Sequence, residues 1–269
     1  MHVAAITGAS SGIGQEVARL LFKNGYSLVL GSRNIVALEG LLREIRAGDK
    51  GIAIKLDVSN FEDIKHFIGE ALRVYGKIDV LVNNAGLGLY GPFHEANPRD
   101  IEYVIDVNLT GPIMLARLTV PHMISRRKGC IVNVSSLAAL APTPWFAVYS
   151  SAKAGLKLFT DTLRMELKPY GIRVIGVYPG YVRTNFFRNL LKTPIVQRHE
   201  LKVLPPGPVL KPTEVAKKIV KAIVGKKNGD VYIGLLNKLA KEGVIHMPRI
   251  SSMYIEYFYR SALKKAGML

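Results

Sequence analysis

Six apolar runs recur along the chain with no polar alternation, at residues 2–7, 27–32, 51–56, 78–82, 130–135 and 172–178. Strands rich in Val, Ile and Leu on both faces belong to a parallel sheet covered by helices on each side. Between these runs, segments near 13–25, 35–47, 61–75, 98–125 and 149–169 carry apolar residues at helical spacing. Asn97-Pro98 supplies a cap and a first-turn proline for the fourth of these helices. Pro112 predicts a kink inside it. The sustained alternation predicts an α/β fold with a doubly wound parallel sheet in three α/β/α layers.

The pattern changes after Pro179-Gly180. Residues 181–211 are irregular and contain Pro194 and the cluster Pro205-Pro206-Gly207-Pro208. A long irregular segment in a compact domain reads as a lid or binding loop, with disorder as the competing explanation. A helix from about Pro212 to Gly225, a strand near 230–234 and a basic, aromatic tail follow. The expected organisation is one main domain over 1–234, including the loop at 181–211, and a helical extension over 235–269.

Composition narrows the setting. At 269 residues and 49% hydrophobic content, one sizeable core fits. Cys130 is the only cysteine, so no intrachain disulfide forms, which suits a reducing, cytoplasmic compartment. No Cys/His cluster has metal-ligand spacing, so no metal is expected. The first apolar run begins at once, without a basic leader or cleavage site, so no signal peptide is expected. No run of 18 apolar residues predicts a membrane span. The net charge of +17 is uneven: residues 1–185 hold 21 Lys and Arg against 15 Asp and Glu, and residues 186–269 hold 16 against 5. A basic last third attracts anions or simply maintains solubility.

Three motifs carry chemistry. Gly8, Gly12 and Gly14 follow the first strand and open the first helix. Such glycines let the backbone turn tightly and approach a pyrophosphate, whose charge the helix N-terminus favours. The second strand ends at Gly31-Ser32-Arg33, with no acid to hold a ribose 2′-hydroxyl. Arg33 can instead pair with a 2′-phosphate, and Ser10, Ser11 and Ser32 can add hydroxyl donors. Tyr149 and Lys153 stand at i and i+4 on one helix face, and Ser136 lies thirteen residues upstream. A nearby ammonium is expected to lower the phenol pKa towards a working acid–base range. Ser136 can hold a substrate oxygen as charge develops.

The chain resembles the short-chain dehydrogenases/reductases, in the single-domain branch with a T-G-x-x-x-G-x-G cradle and a Y-x-x-x-K pair. The likeness covers roughly residues 2–185 and extends loosely to 234. It rests on Thr7 to Gly14, Asp57 in LDVS, Asn83-Asn84-Ala85-Gly86, Asn108 in VNLTG, the Ser136, Tyr149 and Lys153 set, and Pro179-Gly180. The resemblance implies a Rossmann-like fold that binds NADP(H) through Gly8, Ser10, Ser11, Gly12, Ile13, Gly14, Arg33, Asp57, Val58, Asn84, Tyr149, Lys153, Val182 and Thr184. It implies hydride transfer from the nicotinamide to a carbonyl, protonation by Tyr149, ribose binding by Lys153, orientation by Ser136 and a proton relay completed by Asn108. It also implies a homo-oligomer, dimeric or tetrameric.

Substrate-side positions are apolar and aromatic: Leu87, Leu89, Tyr90, Leu137, Pro142 to Phe146, Tyr181, Phe186 and Phe187. They point to a bulky apolar ketone or a 3-oxoacyl-type substrate, with lid packing or subunit contact as the alternative. The tail interleaves Lys238, Lys241, Arg249, Arg260, Lys264 and Lys265 with Met253, Tyr254, Ile255, Tyr257, Phe258 and Tyr259. It reads as a flap at a membrane surface or over the site mouth, or as packing on the parent domain. Packing is preferred. A nucleic-acid role is not expected, because no recognition motif accompanies the charge. The competing functional reading is an anion- or membrane-surface-binding protein that keeps the dinucleotide fold as a scaffold.

Overall fold

The structure is a computed structural model that describes residues 1–198, 209–234, 243 and 246–265. One parallel sheet contains β1 (His2–Thr7), β2 (Tyr26–Ser32), β3 (Gly51–Lys55), β4 (Val80–Asn83), β6 (Gly129–Val134), β7 (Ile172–Tyr178) and β9 (Val231–Tyr232). Their order is β3-β2-β1-β4-β6-β7-β9. A two-residue strand, β5 (Leu89–Tyr90), pairs separately with β8 (Leu191–Lys192).

Burial explains why the strands lack alternation. Ala4 and Ile6 of β1 point into one apolar layer, with Val17 and Leu21 of α1 (Gly12–Lys23) and Leu38 and Leu41 of α2 (Ile35–Glu44). Val215 and Ile219 of α8 (Pro212–Val224) complete that layer. Val3 and Ala5 point into the other, with Phe67 and Ile68 of α3 (Phe61–Tyr75) and Leu115 of α5 (Gly111–Ser125). Leu163 of α6 (Ala147–Leu167) joins them. A strand with helices on both faces has no solvent side, so most positions are apolar, and polar exceptions such as Ser27, Asn83 and Asn133 are buried.

The segment expected as one kinked helix over 98–125 divides differently. It starts as α4 (Pro98–Ile105), where the Asn97 side chain accepts from the Arg99 N–H. Residues Asp106–Thr110 then form a π turn, in which the Gly111 N–H donates to the Asp106 carbonyl five residues back. Pro112 lies in the first turn of α5. It has no N–H for the carbonyl four residues earlier, so the widened turn replaces the expected kink. The C-terminal part adds α7 (Pro194–Arg198) and α9 (Pro248–Lys265). The proline cluster at 205–208, Lys238 and Lys241 lie outside the described residues.

Winding runs from β1 out to β3 and returns to β4 on the other side of β1. The reversal opens a crevice beyond the carboxyl ends of β1 and β4, where ligands of such sheets bind. Most of the motifs read from the sequence stand at strand carboxyl ends around that crevice.

Candidate active site

The cradle is built by close backbone approach. Gly8 and Gly12 take φ of +64° and +60°, a region that side chains disfavour. The Thr7 hydroxyl accepts from the N–H groups of Asn84 (3.0 Å) and Ala85 (3.1 Å). The Asn84 side-chain amide donates to the carbonyls of Thr7 (3.0 Å) and Gly8 (3.2 Å). The turn after β1 is thus pinned to the end of β4. A Cβ on Gly14 would lie 2.5 Å from both Asn84 Nδ2 and the Gly8 oxygen. Gly14 therefore stands behind the wall and lets α1 close on the turn, whereas Gly8, Ser10, Ser11, Gly12 and Ile13 line the cavity. No acidic residue occupies the first turn of α1, so its N–H groups are open to an anion.

The cavity holds about 1880 Å³. At one end Arg33 is exposed after β2. Its Nη1 donates to the Tyr103 hydroxyl (2.6 Å), which donates to Asp57 Oδ2 (3.1 Å). Burial raises the Asp57 pKa, but hydrogen bonds from Ser59 and Tyr103 and the charge of Arg33 leave it below its ordinary value. Val58 and Asn84 also line this part. Val182 and Thr184 also line the cavity, and a Cβ on Gly12 would lie 2.9 Å from Thr184 Cγ2.

Ser136, Tyr149 and Lys153 meet in the middle of the cavity wall. The expected direction of the tyrosine shift is reversed. Burial pushes Tyr149 up to about 12, against a lowering hydrogen bond with Ser136, and burial pushes Lys153 down to about 7. Desolvation disfavours the phenolate and the ammonium alike, and it is the largest influence on both groups. Lys153 Nζ donates to the Val134 carbonyl (3.0 Å).

Asn108 does not line the cavity. It is fully buried in the π turn, and its amide donates to the carbonyls of Leu87 (2.6 Å) and Val104 (2.8 Å). A Cβ on Gly86 would lie 3.3 Å from Asn108 Oδ1 and 3.7 Å from Lys153 Nζ. The glycine keeps that gap open between the two groups.

The remaining wall is aromatic. Tyr149 contacts Phe146 and Phe186, with ring centroids 5.9 Å and 5.4 Å away. Leu87, Tyr90, Leu137, Pro142 to Phe146, Tyr181, Phe186 and Phe187 all line the cavity, as expected of a substrate side. Leu89 does not, because alternation in β5 turns it into the core. Tyr103, which no motif announces, lines the cavity beside Arg33. Ile255 and Tyr259 of α9 reach the cavity, the site-mouth placement that was one of the alternatives for the tail. Tyr259 stands edge-on to Trp145 at 6.0 Å, so the tail lies at the site mouth. Among the described residues, no helix is long and apolar enough to cross a membrane.

A model of the short chain dehydrogenase family matches residues 2–194. The chain is a short-chain dehydrogenase. It is 33% identical over 238 residues to dehydrogenase/reductase SDR family member 7B of Bos taurus, spanning 86% of this chain and 73% of that protein. It is 36% identical over 198 residues to a 3-oxoacyl-[acyl-carrier-protein] reductase of a Synechocystis species, spanning 73% of this chain and 80% of that protein. A crystal structure of a short-chain dehydrogenase from Streptomyces avermitilis superposes with a TM-score of 0.82 at 31% identity, covering 96% of this chain and 97% of that one. Members of the family with this fold have been solved with NADPH and with NAD. The fold and the oxidoreductase class of this chain follow from its membership.

Proposed function

We propose that this short-chain dehydrogenase uses NADP(H) to interconvert a bulky apolar ketone, of 3-oxoacyl or aryl type, and its secondary alcohol. The observation that carries the reading is one continuous cavity lined both by Arg33 and by Tyr149 within an aromatic wall. The residues fit the cofactor. The open N-terminus of α1 suits the pyrophosphate, and the guanidinium suits a 2′-phosphate.

When bound, the reduced nicotinamide supplies the hydride. Tyr149, kept neutral by burial, donates a proton to the carbonyl oxygen. Ser136 orients that oxygen. Lys153 holds the nicotinamide ribose, and burial pushes its pKa down to about 7. The proton that Tyr149 gives up is replaced through Lys153, whose Nζ faces the space that Gly86 leaves beside Asn108 Oδ1.

The working unit is a homo-oligomer, dimer or tetramer. Leu158 and Met165 support this, since both are more than two-thirds exposed on α6. Residues 235–269 act as an extension to the 1–234 catalytic unit. The position of Ile255 and Tyr259 favours a wall of the site over a membrane flap or an anion-binding scaffold.

A panel of carbonyls, followed by nicotinamide absorbance with each cofactor, tests the reading. The expected result is NADPH-driven reduction of bulky ketones in preference to short ones. Preference for NADH, or for small polar carbonyls, would overturn it.

A further inference from the structure

We infer that Tyr103 is the positioning residue that sets discrimination for a 2′-phosphorylated adenosine, by holding Arg33 ready beside Asp57. The inference rests on the reading of Arg33 as the 2′-phosphate partner.

Arg33 is exposed on a turn, and an arginine in that setting loses rotamer freedom when it clamps an anion. The Tyr103 hydroxyl takes one Nη1 hydrogen at 2.6 Å. The guanidinium keeps its Nε and Nη2 hydrogens as a fork for a phosphate.

The direction of the chain is fixed. A phenol has one proton, and guanidinium is donor-only, so Tyr103 accepts from Arg33 and donates to Asp57 Oδ2 at 3.1 Å. Asp57 Oδ1 accepts from the Ser59 N–H (3.0 Å) and hydroxyl (2.7 Å). The carboxylate is thereby satisfied without direct contact with the arginine. A neutral phenol between them keeps the guanidinium from collapsing onto Asp57, which would cancel the charge that a phosphate needs.

Three elements meet here: the ends of β2 and β3, and α4. Tyr103 is half-buried and lines the cavity. One side chain therefore ties the 2′-phosphate end of the pocket to the adenine end.

Tyr103→Phe keeps the ring and removes the hydroxyl. Calorimetry on the full chain compares NADPH, NADH, 2′,5′-ADP and 5′-AMP. Wild type is expected to favour both 2′-phosphorylated ligands. Tyr103→Phe should weaken these two by about five- to tenfold and leave NADH and 5′-AMP within about twofold. In an Arg33→Ala background the same change should have no further effect on 2′,5′-ADP, because the two residues act as one unit. A wild type that discriminates, with the same ratio in Tyr103→Phe, overturns the inference and leaves the Arg33 reading standing. Equal losses for 2′,5′-ADP and 5′-AMP also overturn it, since they would mark Tyr103 as wall packing. A wild type that does not discriminate overturns the Arg33 reading, and the inference with it.

Discussion

The two sides of this cavity are held by different physics. The cofactor side, with the cradle, rests on β1, whose inner positions have no solvent exposure. Val3, Ala4, Ala5 and Ile6 are all at 0%, and the turn above them is clamped by Thr7 and Asn84. The substrate side is irregular backbone carrying half-buried rings. Trp145 there takes a φ of +68°, unusual for a bulky residue, and its carbonyl accepts from Gly91 N–H at 3.0 Å. A dinucleotide is the same molecule in every turnover, so a rigid seat serves it. A wall of rings joined by contacts rather than hydrogen bonds can vary its shape at smaller cost.

Tyr149 belongs to both sides, so its loss should have the largest effect. Tyr149→Phe removes the proton donor and keeps the ring contacts with Phe146 and Phe186. Turnover should fall by about 10²- to 10⁴-fold, with NADPH affinity nearly unchanged. Single-turnover kinetics beside cofactor calorimetry checks this. Near-native turnover would remove Tyr149 from the chemistry.

Ile6→Ala probes the rigid side. It opens a cavity in a layer packed from strand and helix, directly before the cradle, and should cost about 2–4 kcal/mol of unfolding free energy. Denaturant unfolding measures it. A loss below about 1 kcal/mol would mean that the layer closes around the gap, against the proposed contrast.

Lys153 gives the contrast a pH dependence. Its folded pKa is about 7 against an ordinary 10.5, because burial penalises the ammonium. Between those values the unfolded chain holds a proton that the folded chain has released, so this group adds stability as pH rises from 7 towards 10.5. Function runs the other way. The neutral amine is the weaker donor to ribose hydroxyls, so kcat/KM for the cofactor, which reports the free enzyme, should fall as pH rises through about 7. A pH profile with no limb there, or one retained in Lys153→Met, would exclude the lysine as its source.

How much was legible in the sequence follows the same division. Strand positions could be read because burial on both faces leaves mostly apolar residues. That Ser136, Tyr149 and Lys153 would share one cavity with the glycine turn was legible because these residues stand at fixed spacings along the sequence. The π turn was not: its cause, Pro112, looks the same as a simple kink proline until backbone hydrogen bonds are assigned. The raised phenol pKa was hidden because the balance between burial and charge depends on surroundings in three dimensions. Tyr103 was hidden for a related reason. It meets Arg33 across 70 residues, and a lone tyrosine on a helix has no spacing rule to mark it.

The smallest expected effect concerns α9. Tyr259 meets Trp145 edge-on, and such a pair contributes on the order of 0.5–1.5 kcal/mol beyond area burial. If α9 is a movable wall of the substrate site, Tyr259→Ala should raise KM for a bulky aryl ketone by about three- to tenfold and leave a short ketone unaffected. That contact is with a loop residue outside the seven-stranded sheet, so the melting temperature should stay nearly constant. Steady-state kinetics on the two ketones, beside a thermal melt, separates the cases. Equal KM changes for both ketones would mean that α9 shapes the whole site and not its outer rim. A melting temperature lowered as far as in Ile6→Ala would mean that α9 is part of the framework, and the division between a rigid cofactor side and an adaptable substrate side would have to be redrawn.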